Sequence, residues 1–149
     1  MKPHSKWYRL PTQDRILILQ TIPFLSVIRI CLVLLPLDYL LRLLTRIAKT
    51  LPAKDHPNCQ SQKKTIWVIE AVGKYVLGDG PCLTQALAAQ FILARHNQSG
   101  ELCIGIAKEE QGKLVAHAWI ESNGGVVIGG SEAAFKRYIR LPSLKGKMF

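Results

Sequence analysis

Two short motifs contain the residue types that cysteine-dependent acyl chemistry requires. In the first, Cys82 follows a Gly-Asp-Gly-Pro loop and begins a stretch with helical spacing. In the second, His117 lies between two alanines in the middle of a predicted strand. A helix N-terminus stabilises a thiolate, and a neighbouring imidazole accepts the proton that the thiol gives up. The two residues are therefore predicted to be a nucleophile and its general base, brought together by the fold.

Each of these residues also has a purely structural interpretation. An isolated cysteine is more often a small buried hydrophobic residue than a nucleophile. A histidine between alanines on a strand is also compatible with a core position, together with the neighbouring Trp119. The loop before Cys82 favours the catalytic interpretation. The two alanines beside His117 also favour the catalytic interpretation, because their small side chains let another element approach the imidazole.

A third group should orient the imidazole, and the sequence leaves its identity open. Glu121 shares a strand face with His117, but at four residues' distance it is too far for a direct hydrogen bond. If Gly124 and Gly125 form the following hairpin turn, Glu132 lies opposite His117. If the turn begins one residue earlier, a glycine lies there and offers no side chain. Glu132 is the predicted third catalytic residue, with a backbone carbonyl or a water as the alternative.

Composition limits the classes of protein to which the chain can belong. Its 149 residues, 48% of them hydrophobic, are enough for one domain with or without an appended helical segment. A net charge of +10 suits nucleic acid, an anionic membrane surface or an acidic peptide, but no nucleic-acid-binding motif is present. The four cysteines form no CxxC pair, and no histidine has metal-ligand spacing from them. We therefore expect free thiols in a reducing cytoplasm, without a metal.

The predicted elements form an α+β fold in which helices precede a small antiparallel sheet. Three regions are predicted: an apolar helical segment over 1–50, a linker over 51–64 and a catalytic domain over 65–149. The hydrophobic periodicity predicts the elements within the last region. They are helices at 65–77 and 82–94, strands at 102–106, 114–121 and 126–128, and a short helix or loop at 131–138.

The N-terminal segment is apolar over most of residues 16–47. A membrane span needs about 20 apolar residues, and the longest uncharged run here is shorter. Arg29 would lie near the bilayer centre, and Pro23 and Pro36 interrupt helical continuity. We therefore expect two or three short helices that dock on the catalytic domain or on a partner protein. A membrane-associated helical hairpin is the alternative.

The stretch from 67 to 130 resembles the leader peptidases of lasso peptide biosynthesis, the stand-alone C-terminal half of the split B protein. That family belongs to the transglutaminase-like cysteine protease superfamily. The resemblance rests on the order and spacing of several segments, and an apolar segment before the catalytic core is also typical of the family. The matching segments are Pro81-Cys82-Leu83-Thr84-Gln85-Ala86-Leu87-Ala88, Ile104-Gly105-Ile106, Ala116-His117-Ala118-Trp119-Ile120-Glu121 and Val127-Ile128-Gly129-Gly130.

The resemblance implies a transglutaminase- or papain-like core in which the nucleophile helix packs on the sheet. It also implies an activity: removal of the leader from a ribosomally made precursor peptide, before macrolactam cyclisation. By position, Cys82 is the nucleophile and His117 the base. Family members often have an acidic or amide residue shortly after the histidine strand, where this chain has Ile128, Gly129 and Gly130.

The same resemblance implies partners and a location. The partners are the precursor peptide, a separate recognition-element protein that binds the leader, and the lasso cyclase, which uses ATP. No cofactor is expected in this chain, no nucleic acid is expected as a partner, and peripheral membrane contact is an additional option. The implied location is the bacterial cytoplasm, with or without membrane association.

Two functions of other classes remain compatible with the sequence. A transglutaminase-like acyltransferase would use the same thiol and imidazole and pass the acyl group to an amine, so only its products distinguish it. A non-catalytic membrane or partner adaptor would use the apolar N-terminal segment alone. Thiol reactivity and solubility without detergent separate an adaptor from an enzyme.

Overall fold

The computed structural model describes residues 11–52, 59–78, 81–130 and 132–142. The helices are α1 Thr12–Leu34, α2 Leu37–Thr50, α3 Cys59–Val76, α4 Cys82–Arg95 and the short α5 Glu132–Phe135. The strands are β1 Glu101–Lys108, β2 Leu114–Ser122, β3 Gly125–Ile128 and β4 Ile139–Arg140. Helices α3 and α4 pack on a four-stranded antiparallel sheet, and α1 and α2 pack on these helices, which confirms the predicted α+β fold.

The sheet has the strand order β3-β2-β1-β4, so β2 is an interior strand. The hairpin between β2 and β3 turns at Asn123 and Gly124, because Ser122 pairs with Gly125. Both turn residues have positive φ, 51° and 78°, as the favoured two-residue hairpin turns require. The register that used Gly124 and Gly125 as the turn, and so placed Glu132 opposite His117, is therefore wrong.

Helix α4 is at the centre of the molecule. It packs against α1, α2, α3 and the first three strands. Its buried surface consists largely of small side chains, since Ala86, Ala88 and Ala89 are fully buried. Alanine adds no side-chain length between two elements, so the neighbouring helices and the sheet approach α4 closely. The sheet contributes apolar side chains to the same core, namely Leu102, Ala118, Ile120 and Ile128.

The N-terminal segment folds as two helices, and the prediction that Pro23 interrupts it is wrong. Helix α1 is continuous over 23 residues with Pro23 inside it. Pro23 is on the exposed side of the helix, while Leu25 and Ile28 are buried against the rest of the core. Packing on one face therefore holds both halves of α1 in line, although proline removes a helical hydrogen bond. Pro36 separates α1 from α2, as expected.

Helix α3 begins at Cys59, so the predicted linker is helical over 59–64 and the predicted helix start at 65 is six residues late. Residues 53–58 of that linker lie outside the described residues. The first turns of α3 look like a loop because they are polar. Their polar side chains have partners in the fold: Gln62 donates a hydrogen bond to the Gln98 side chain at 2.8 Å, and Lys64 pairs with Asp14 of α1.

Two leucines of α1 test whether this helix belongs to the core. Leu25 is 0% exposed and Leu19 is 65% exposed. We expect Leu25→Ala to lower the free energy of unfolding by about 2–5 kcal/mol, because it removes buried side-chain volume from the shared core. Leu19→Ala should change it by less than about 0.5 kcal/mol. Urea denaturation measures both, and equal effects would show that α1 is not part of the cooperative core.

Candidate active site

Cys82 is the first residue of α4. The helix begins after Pro81, whose carbonyl accepts the backbone N–H of Gln85 at 2.9 Å, and no side chain caps this end. The first turn of a helix has backbone N–H groups without intrahelical partners, so the positive end of the helix dipole lies beside the Cys82 thiol. The thiol is free and half-buried, and it packs against the edge of the core. Residues 79–80 of the preceding loop lie outside the described residues.

The first turn of α4 is fixed to α3 by a side chain that the sequence did not single out. The buried Gln85 amide donates a hydrogen bond to the backbone carbonyl of Glu70 at 3.0 Å. Gly73 of α3 makes this approach possible, since a Cβ there would lie 2.3 Å from the Gln85 Nε2 atom. This contact sets the position of α4 near its N-terminus, and with it the position of Cys82. The sequence contains no pattern that singles out this contact.

His117 lies in the middle of β2, and one of its ring nitrogens has a defined partner. The Nε2 atom is 2.6 Å from the backbone carbonyl oxygen of Gly129. A carbonyl oxygen only accepts hydrogen bonds, so Nε2 carries the proton in this contact. In the neutral ring, Nδ1 is then the unprotonated nitrogen. The imidazole therefore has the tautomer and the fixed orientation that a general base needs.

Gly129 can occupy this position because it has no side chain. Its φ is +113°, which side chains rarely adopt, and a Cβ would lie 2.6 Å from the Cβ of Trp119. The orienting group is thus a backbone carbonyl, the alternative that the sequence left open. Glu132 is the first residue of α5 rather than a strand residue opposite His117. Its side chain lies outside the described part of the chain, and its catalytic role stays a prediction.

Three aromatic rings surround the imidazole. The ring centroids of Tyr138, Phe135 and Trp119 lie 5.6, 5.9 and 6.3 Å from that of His117. Trp119 is fully buried and stacks on Phe135 at 4.5 Å. Trp119 lies two residues from His117 on the same strand face, as strand alternation requires. The sequence gave no signal for Phe135 and Tyr138, which lie in α5 and the turn after it. Together these rings limit the access of water to one side of the imidazole.

Glu121 holds Trp119 rather than His117. Its carboxylate accepts a hydrogen bond from the Trp119 Nε1 at 2.9 Å and forms an ion pair with Arg140 of β4. The Arg140 guanidinium also lies over the indole, 5.5 Å from the ring centroid. This agrees with the expectation that Glu121 is too far along the strand to bond the imidazole. Glu121 and Arg140 therefore fix the indole ring of Trp119, which packs against His117.

The two predicted catalytic residues are placed on different sides of the sheet. Strand alternation puts His117 and Trp119 on the face opposite to Ala118 and Ile120, which pack in the core around α4. Among the described residues, no hydrogen bond joins the Cys82 thiol to the imidazole. The structure therefore does not bring the thiol and the imidazole together, although the sequence predicted that it would. Proton transfer between them requires a rearrangement that carries the His117 side chain to the α4 side of the sheet.

A cleft of about 670 Å³ lies toward the other end of α4. It is lined by Gln90 and Ala94 of α4, by the loop 97–100 and by the hairpin turn at 123–124. Gln90 is two helical turns from Cys82, which is about 12 Å along the helix axis. This cleft is therefore separate from the thiol. Within the described ranges, no group of three or more histidine, cysteine, aspartate or glutamate side chains is placed to hold a metal ion.

Replacing Gly129 tests whether its carbonyl fixes the imidazole. In Gly129→Ala, the new Cβ would clash with Trp119 and displace the carbonyl, so we expect the Nε2–H signal of His117 to lose its hydrogen-bonded shift. Gly124→Ala is the matched control: its φ is also positive, 78°, but nothing lies within 4 Å of its Cβ. Imidazole ¹⁵N NMR measures the tautomer in both. An unchanged His117 signal in Gly129→Ala would refute the assignment.

The comparisons with known proteins identify the family of the chain. A family model described as the transglutaminase-like superfamily matches residues 30–142, which include Cys82, His117 and the whole sheet. No curated protein and no solved structure gives a significant match. Members of this superfamily carry out chemistry of the cysteine protease and acyltransferase type. The match spans more than half of the chain and contains a cysteine at a helix N-terminus and a histidine on the following sheet, so this protein belongs to the transglutaminase-like superfamily.

Proposed function

We propose that this protein is a cysteine peptidase that removes the leader from a lasso precursor peptide before macrolactam cyclisation. One observation carries the cysteine chemistry: in a transglutaminase-like chain, Cys82 begins a helix, and the Nε2–H of His117 is held by the Gly129 carbonyl. The narrower assignment to lasso precursors is supported by the resemblance of the segments around these two residues to the lasso leader peptidases.

The reaction follows from the two side chains. The first step requires the thiol and the imidazole, which this structure holds on opposite sides of the sheet, to come together. Nδ1 of His117 then takes the proton from the Cys82 thiol, and the thiolate attacks the scissile carbonyl carbon to form a C–S bond. The backbone N–H groups of the first turn of α4, that of Cys82 included, stabilise the oxyanion. The C–N bond then breaks, and the imidazolium protonates the leaving amine. Water hydrolyses the thioester, with His117 again as the base, and regenerates the thiol.

Acyl transfer is the second function that the superfamily match supports. It uses the same thioester, and an amine replaces water in the last step. The two reactions leave different products, because hydrolysis gives a free leader carboxylate and transfer gives a leader joined to the amine. Peptide hydrolysis is our proposal because the motifs around Cys82 and His117 resemble those of peptidases.

The proposed reaction takes place in the bacterial cytoplasm with partner proteins. We propose that a separate recognition-element protein binds the leader and raises its effective concentration near Cys82. The freed amino terminus would pass to a lasso cyclase, which would bind the ATP that ring closure consumes. In this proposal the chain described here supplies the peptidase residues and needs no cofactor of its own.

Substituting the cysteines one at a time tests the nucleophile. Cys82→Ala should abolish leader cleavage, because no thiol remains at the N-terminus of α4. Cys31→Ala, Cys59→Ala and Cys103→Ala are the matched controls and should keep it. Mass spectrometry of precursor incubated with each variant and the recognition-element protein measures cleavage. Full cleavage by Cys82→Ala would exclude the mechanism.

Substituting His117 tests the base and its orientation. We expect His117→Ala to lower the cleavage rate by about 10²–10⁴-fold, the usual range for a general base. Glu132→Gln should have a much smaller effect, because the Gly129 carbonyl already bonds the ring. Single-turnover rates at saturating precursor measure both. A Glu132→Gln defect as large as that of His117→Ala would show that the carboxylate, not the carbonyl, orients the base.

A further inference from the structure

Helix α1 has two apolar faces, and the described part of the chain covers one of them. Ile18, Leu25 and Ile28 are buried against the rest of the fold. On the opposite side lie five apolar side chains that are between 50% and 73% exposed, at intervals of three or four residues except for the eight residues between Leu19 and Val27. We name this set the outer stripe: Ile16, Leu19, Val27, Ile30 and Leu34. The exposed Pro23 lies between Leu19 and Val27 at the same spacing, so the stripe is continuous over about 27 Å of helix.

The charged residues of α1 lie beside the outer stripe rather than within it. Arg29 is exposed and directly precedes Ile30, so helical geometry rotates it by about 100° from that side chain. An arginine at the flank of an apolar stripe keeps its guanidinium at the level of lipid headgroups while the stripe is buried. Arg29 would lie near the bilayer centre only if α1 crossed the membrane. A helix that lies flat on the membrane surface does not place the guanidinium there.

The charge of the helical layer is complementary to anionic lipid. Exposed basic residues on α1 and α2 are Arg29, Arg42, Arg46 and Lys49. The acidic residues of these helices, Asp14 and Asp38, are half-buried, and Asp14 pairs with Lys64. The chain as a whole has a net charge of +10. Each basic residue near an anionic bilayer contributes about 1 kcal/mol of attraction.

The packing of α1 decides between lying on a membrane and crossing it. By length and composition alone, α1 is the one described helix that is long and apolar enough to span a bilayer. A spanning α1 would have to withdraw Leu25 and Ile28 from the core that they share with α3 and α4. Lying flat buries the outer stripe and leaves that core intact. Packing therefore favours surface attachment over insertion.

The composition of the outer stripe also indicates whether lipid or protein covers it. Protein interfaces concentrate their binding energy in tryptophan, tyrosine and arginine side chains near the centre of the contact. The stripe is aliphatic throughout, and arginine is only at its flank. We propose that the outer stripe attaches this protein to an anionic lipid bilayer as a peripheral contact. This attachment is independent of the proposed peptidase activity.

Vesicle sedimentation with the full chain tests the attachment. We expect binding to vesicles of phosphatidylglycerol and phosphatidylcholine, much weaker binding to phosphatidylcholine alone, and a decrease in binding as salt rises. The double variant Val27→Asp/Ile30→Asp should bind at least about tenfold more weakly, since it places charges in the stripe. Arg29→Gln should weaken binding about fivefold. Leu114→Asp/Ile139→Asp, at two exposed apolar positions of the sheet, is the matched control and should bind like the wild type.

Circular dichroism and urea denaturation first establish that each variant is folded. Failure of the wild type to bind anionic vesicles would overturn the proposal, as would equal binding by the stripe variant. Retention on vesicles through an alkaline wash would show insertion and would also overturn it. A stripe-dependent dimer or a stripe-dependent complex with the cyclase, without vesicle binding, would show that protein covers the stripe instead.

Discussion

The fold depends on the close approach of its elements to α4. Three alanines on this helix are completely buried, so three helices and the sheet lie against it with little side chain between them. Larger residues there would push the layers apart, because interiors packed at crystal-like density have no room for added methyl groups. The same packing fixes the helix N-terminus that bears Cys82. The position of Cys82, the proposed nucleophile, is thus a consequence of the smallest side chains in the core.

The sequence predicted the helix that begins at Cys82 and the presence of the central hairpin, because strong local signals mark them, but the register on which Glu132 depended was wrong. Glycine and proline precede Cys82, and the Asn-Gly pair at 123–124 is a turn signal of its own. Predictions were less accurate where tertiary contacts override local preference. Pro23 lies inside a helix held by packing on its other side, and the polar start of α3 is helical because its side chains find partners. Strand β4 is two residues long and pairs with β1 through backbone groups, which gives no periodic pattern.

The site was harder to predict than the fold, since its orienting group is a backbone atom. The expected partner of the imidazole is a carboxylate, but the residues after β3 are Gly129 and Gly130, which have no side chain. The carbonyl of Gly129 fixes Nε2, and the positive φ of both glycines turns the chain out of β3 at that point. A carbonyl holds the tautomer but adds no full negative charge, so it stabilises the imidazolium less than a carboxylate would. Orienting the imidazole and stabilising its positive charge are separate roles. Among the described residues, the Gly129 carbonyl supplies the orientation.

The arrangement of α1 also affects how the chain folds during synthesis. Helix α1 ends at Leu34, but α4, against which it packs, ends at Arg95. At a usual rate of about 5–20 residues per second, the ribosome takes several seconds to make the chain between them. Throughout that interval the face of α1 that the fold later buries is exposed together with the outer stripe. The nascent chain therefore presents its most hydrophobic helix before anything can cover it, and early contact with a lipid surface or a chaperone would protect it from aggregation.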